Sequence, residues 1–136
     1  MSKLLEDIWI MMNDGTVLFK RVFEEKLNEQ LFGGFMSALE TFASQLDEHG
    51  LSSFEIGQKK FILKKHNNMY FVSNFDKKVN LKKAAAELEH VADEFLAVYE
   101  VELLSFRGNV EIFKEFEKKI QDSLEDVVGK FQQAFW

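Results

Sequence analysis

Gln30-Leu31-Phe32-Gly33-Gly34-Phe35-Met36-Ser37-Ala38-Leu39-Glu40-Thr41-Phe42-Ala43-Ser44-Gln45-Leu46 is the stretch on which the folding of this chain turns. Leu31, Phe35, Leu39, Phe42 and Leu46 recur at steps of three and four, so one helical face is apolar and needs a partner surface. Phe32 and Met36 stand beside that stripe and widen it toward a helix buried over much of its circumference. Gly33 and Gly34 lie in the first turns, where each costs roughly 1 kcal/mol of helix propensity relative to alanine. Close approach of the backbone to a sheet is the expected reason; the plainer alternative is a helix start that tolerates glycine.

The flanking segments predict that sheet. Ile8-Trp9-Ile10-Met11-Met12 is followed by Asn13-Asp14-Gly15 and then by Thr16 to Val22, two strands joined through an Asp-Gly turn. The first strand is apolar on both faces, as an interior strand is, whereas Lys20 and Arg21 mark the second as an edge. Asn28 caps the helix, and Gly50 is the expected C-terminal cap beyond Asp47-Glu48-His49. His49 is expected to favour the helix end electrostatically rather than to ligate or catalyse.

Beyond the helix, Ser52 to Ile56, Lys60 to Lys65 and Met69 to Ser73 predict an antiparallel meander, turned at Gly57-Gln58-Lys59 and Asn67-Asn68. His66 reads as a solvated turn residue. From Asn80 the period changes: Leu81, Ala84, Leu88, Val91, Phe95, Val98 and Phe106 follow helical spacing, with a bend or early end near Tyr99. Arg107-Gly108-Asn109 interrupts the pattern. Val110, Phe113, Phe116, Ile120, Leu124, Val127, Phe131 and Phe135 then predict a last amphipathic helix.

At 136 residues, with fifteen phenylalanines, the chain can fill the core of one domain, expected over residues 1–136 with a helical extension about 125–136. The lack of cysteine removes thiolate metal sites, a disulfide framework and a cysteine nucleophile. A formal net charge of −6 disfavours sequence-independent nucleic-acid binding, which needs cations against phosphates. The acids in Met1 to Asp7 argue against a signal peptide, no run reaches membrane-spanning length, and the expected location is cytoplasmic. No cofactor or metal is expected: His90 has no second histidine at helical spacing, and phosphate-loop, zinc and nucleophile-elbow motifs are missing. An enzyme is therefore not expected.

The order strand, strand, helix, three strands, helix, helix resembles a longin domain of the profilin-like longin/roadblock group, in the free-standing form found in archaea and Asgard archaea in particular. The resemblance rests on Ile8 to Phe19, on Leu31-Phe32-Gly33-Gly34-Phe35-Met36-Ser37-Ala38-Leu39, and on Lys60 to Val72. It implies an α+β fold: an α-β-α sandwich whose five-stranded antiparallel sheet carries one helix on one face and two on the other. Strands two and three would be the edges. The roadblock pattern begins with a helix, for which residues 1–7 offer at most about two turns, so longin is the closer likeness. The chain departs from longin SNAREs in having no long heptad segment after the domain.

The resemblance further implies a non-enzymatic protein-interaction module, a scaffold or regulatory subunit acting with small GTPases or vesicle-trafficking complexes. Binding would use the groove between the first helix and the third strand, with Phe32, Met36, Ser53, Phe54 and Glu55 as candidate contacts, or strand addition at an edge. Partners would be a small GTPase or another longin/roadblock subunit, and membranes would be reached only through a partner. Phe131, Phe135 and Trp136 are candidates for homodimer formation, because apolar surface beyond the sheet invites a second copy. The alternative is a small-molecule sensor, which would need an enclosed pocket with convergent polar groups.

Overall fold

The chain's described structure, a computed structural model, comprises residues 5–22, 28–48, 50, 52–106 and 108–119. Its elements are β1 (Asp7–Met12), β2 (Val17–Arg21), α1 (Glu29–Leu46), β3 (Ser53–Ile56), β4 (Lys59–His66), β5 (Met69–Asp76), α2 (Leu81–Val98) and α3 (Glu100–Leu104). A 3-10 turn over Val110–Phe113 follows. The strands make one sheet in the order β2-β1-β5-β4-β3, antiparallel throughout. This is the expected α+β architecture, with β2 and β3 at the edges and β1 inside.

Strand alternation divides the core into two layers. Ile8, Ile10, Phe71 and Phe75 point to the α2 side, where Phe95 is fully buried among Phe71, Tyr99, Phe113 and Phe116 at ring separations of 4.9–6.0 Å. Trp9, Met11, Phe61, Leu63 and Val72 point to the α1 side and meet Phe32 and Met36. The doubly apolar Ile8–Met12 run is thus the sequence of a strand covered on both faces. Between the layers, Ser73 Oγ donates to the Asp7 carbonyl at 2.6 Å, and Asn74 both accepts from the Asp7 N–H and donates to the Asp7 carboxylate. These bonds satisfy two buried polar side chains and pin β1 to β5.

Several expectations are corrected. α1 ends at Leu46 with Asp47 in an extended conformation, not at a glycine cap; Gly50, at φ +69°, lies three residues further on. His66 closes β4 instead of sitting free in a turn: its ring meets Phe71 edge-on, and Nε2 lies 2.9 Å from Glu89. The helix from Asn80 breaks at Tyr99, as the spacing suggested, into α2 and α3. The last helix begins as a 3-10 turn and resumes α-helical form at 116–119. His49 and the proposed extension about 125–136 lie outside the described residues.

The largest correction concerns the rotation of α1. Leu31, Phe42 and Leu46 are 60–75% exposed and Phe35 is half exposed, whereas Phe32 and Met36 are buried. Four of the five residues of the regular apolar stripe face away from the sheet, Leu39 being half-buried, and the residues read as its margin are what pack. Gly33 explains the choice. A methyl group there would stand 2.1 Å from the Gly15 carbonyl oxygen, so only glycine lets the helix lie on the β1–β2 turn. Gly34 has nothing within 4 Å of that position, so only one glycine of the pair serves close approach.

Candidate protein-interaction surface

Four interactions set α1 in place. Asn28 accepts from the N–H groups of Gln30 and Leu31 at 2.9 and 3.2 Å, capping the first turn. Gly33 touches the turn at Gly15, and Ser37 Oγ donates to the Asn13 carbonyl at 2.8 Å. Farther along, Glu40 is buried beneath the helix and accepts from Lys65 Nζ of β4 at 2.7 Å. Burial, reinforced by the Glu40 carboxylate, pushes the neighbouring Tyr70 hydroxyl up from its ordinary pKa.

With its inner face fixed, α1 presents Leu31, Phe35, Ala38, Phe42 and Leu46 outward. Between Gln30 and Leu46 the one charged residue is Glu40, which points inward to Lys65. From Leu31 to Leu46 the outer face is therefore free of charge, its apolar stripe flanked by the uncharged Thr41, Ser44 and Gln45. Depletion of charge is the signature of an interface core, and an anionic membrane would instead call for lysine and arginine.

β3 lies beside this face and ends the sheet, so its outer backbone edge has no neighbouring strand among the described residues. Phe54 links the two: it stacks on Phe61 at 4.7 Å and meets Phe35 edge-on at 6.4 Å. Trp9, Phe32, Phe61, Phe54 and Phe35 make a continuous aromatic series from the interior to the surface. Ser53 and Ile56 are exposed, as is Glu55, which pairs with Lys77 at 3.1 Å.

Of the candidate contacts, Ser53, Phe54 and Glu55 lie together at this edge, Phe54 half-buried. Phe32 and Met36 are corrected: they fill the layer between helix and sheet and present no surface, because Gly33 on the same side must face the turn. The missed surface residues are Leu31, Phe35, Phe42 and Leu46. The signal that could have found them is Glu40, which shares a face with Phe32 and Met36 at helical spacing and has a partner in Lys65 of β4. Phe131, Phe135 and Trp136 lie outside the described residues.

Elsewhere, two adjoining hollows of about 440 Å³ each open beside β2 and share Val17 and Val110. Both are open to solvent rather than enclosed. Among the described residues no group of three His, Asp or Glu side chains could hold a metal, and no helix is long and apolar enough to cross a membrane.

Five antiparallel strands with α1 on one face and α2 on the other, and with β2 and β3 at the edges, define a longin/roadblock-type fold. Myxococcus xanthus MglB superposes with a TM-score of 0.58 at 12% identity, over 71% of this chain and 84% of that one. A Roadblock/LC7 domain from Streptomyces avermitilis gives 0.57 at 10% identity, over 70% and 84%. At these identities the likeness is one of fold. No family model matches the sequence, and no curated protein matches it.

Proposed function

We propose that this chain is a non-enzymatic protein-interaction module, a scaffold or regulatory subunit that docks through the outward face of α1 and the adjoining edge of β3. The observation that carries this is the exposed, uncharged stripe of Leu31, Phe35, Phe42 and Leu46. Such a surface on a water-soluble face is unfavourable unless something covers it. A helix flanked by an open strand offers both apolar area and backbone pairing.

The occupant assigned to it is a second subunit of the same layered fold, a copy of this chain being the first case. A face with no charge meets its own copy without like-charge repulsion, which a charged face does not. Action together with small GTPases, as the sequence resemblance suggests, would then belong to the assembled pair.

Sedimentation velocity on the full chain tests this, alone and mixed with a small GTPase in each nucleotide state. The expected result is a self-associated species that Leu31→Glu and Phe42→Glu convert to monomer with an unchanged circular dichroism spectrum. A wild-type chain that stays monomeric at high micromolar concentration and binds the GTPase in neither state would overturn the proposal.

A further inference from the structure

The opposite side of the molecule carries a second face, of different character, that is exposed among the described residues. α2 and α3 are nearly continuous: the Tyr99 N–H donates to Phe95 and the Leu103 N–H to Tyr99, so helical spacing holds across the break. Phe95 and Tyr99 point into the core. On the outward side Ala97, Val98, Val101 and Leu104 form one stripe at helical spacing, with Val101 71% and Leu104 87% exposed.

Acids border the stripe. Helical angles place Asp93 and Glu100 along one margin and Glu102 along the other, with Glu94 among the apolar residues. Glu94 Oε1 lies 3.7 Å from His90 Nε2, and its buried Oε2 accepts no hydrogen bond among the described residues. α2 and α3 together, residues 81–104, contain six Asp or Glu against Lys82 and Lys83, a formal charge of −4. The rest of the sequence carries −2, so most of the molecule's net charge lies on this stretch.

We infer that the α2–α3 face is a docking site for a cationic amphipathic helix, one with an aliphatic seam bordered by lysine or arginine. An apolar stripe between two acidic margins is complementary to that pattern, the seam supplying area and the margins supplying orientation and association rate. A second copy of the same face would bring like charge onto like. Residues 120–136 of this chain hold three acids against Lys130 and have the wrong sign as well. An anionic membrane is repelled for the same reason. The surface lies across the sheet from α1, so its use is independent of the α1 face and the two can be occupied together.

The test is fluorescence anisotropy of a labelled synthetic helix with leucines along one face and lysines at its margins, titrated with the full chain. A twin peptide with glutamates in place of the lysines is the control. The lysine helix is expected to bind saturably, to weaken as salt rises, and to lose roughly tenfold or more in affinity with Leu104→Glu and with the double variant Glu100→Lys/Glu102→Lys. Leu31→Glu is expected to leave this binding unchanged, which separates it from the α1 surface. Equal binding of both peptides, no binding of the lysine helix, or undiminished binding by both α3 variants would overturn the inference. Leu104 and the two glutamates are solvent-facing, and unchanged circular dichroism spectra confirm that the variants fold.

Discussion

Replacing each member of the Gly33-Gly34 pair by alanine is expected to change stability in opposite directions. At Gly33 the new methyl carbon would stand 2.1 Å from the Gly15 carbonyl oxygen, where ordinary contact begins at 3.4 Å, so helix and turn must separate by about 1.3 Å. The turn has little freedom to yield, because Gly15 is held at φ +97° between two paired strands. Separation also loosens Phe32 from Trp9, whose rings are 4.2 Å apart. Overpacking of this kind costs about 1–3 kcal/mol, offset by about 1 kcal/mol from the better helix propensity of alanine. The net expectation for Gly33→Ala is a loss of up to about 2 kcal/mol. Gly34→Ala meets nothing within 4 Å and should gain up to about 1 kcal/mol. Urea unfolding followed by far-ultraviolet circular dichroism measures both midpoints, with a common slope licensing the comparison. Equal stability of the two variants, or a stabilised Gly33→Ala, would refute the placement of α1 on the turn.

Phe95→Ala removes the ring shared by Phe71, Tyr99, Phe113 and Phe116 and should cost about 3–5 kcal/mol, read as a lowered midpoint in the same urea titration. Burial raises the Glu87 carboxyl above its ordinary value of 4.5, with His90 opposing and Glu94 reinforcing the shift. The folded chain therefore disfavours ionised Glu87, a penalty present above the raised value and absent below 4.5. Glu87→Gln should raise the melting temperature at neutral pH, and the gain should fade as pH falls toward 4.5. Melts that show a constant gain at every pH would count against that origin.

The architecture was readable because hairpin turns, caps and strand alternation are local. Asp14-Gly15 turns β1 into β2, Asn28 and Asn80 accept from the first turns of their helices, and the apolar Ile8–Met12 run announced a strand covered on both sides. The orientation of α1 was not readable because two faces competed. The longer, more regular stripe belonged to the surface, while the true inner face contained a glycine and a glutamate. Its recognition required two long-range facts, the approach of Gly33 to Gly15 and the reach of Lys65 to Glu40. For the same reason the candidate contacts divided: those on β3 lie at an exposed edge, and those on the helix, Phe32 and Met36, are interior.

The strand order also governs when the molecule can form. β1 pairs with β5, joining Asp7 to Asn74 and Met12 to Met69, so the second interface of the first hairpin is more than fifty residues away. During synthesis that hairpin emerges with Trp9, Ile10 and Met11 lacking their later neighbours, and it must wait for residue 76 to clear the ribosome. The β3-β4-β5 meander, made of nearest neighbours in sequence, needs no such delay. Non-local closure of this kind is slow relative to local pairing. The nascent chain is accordingly most vulnerable to aggregation through its β1–β2 hairpin, in the interval between translation of the two strands that will lie side by side.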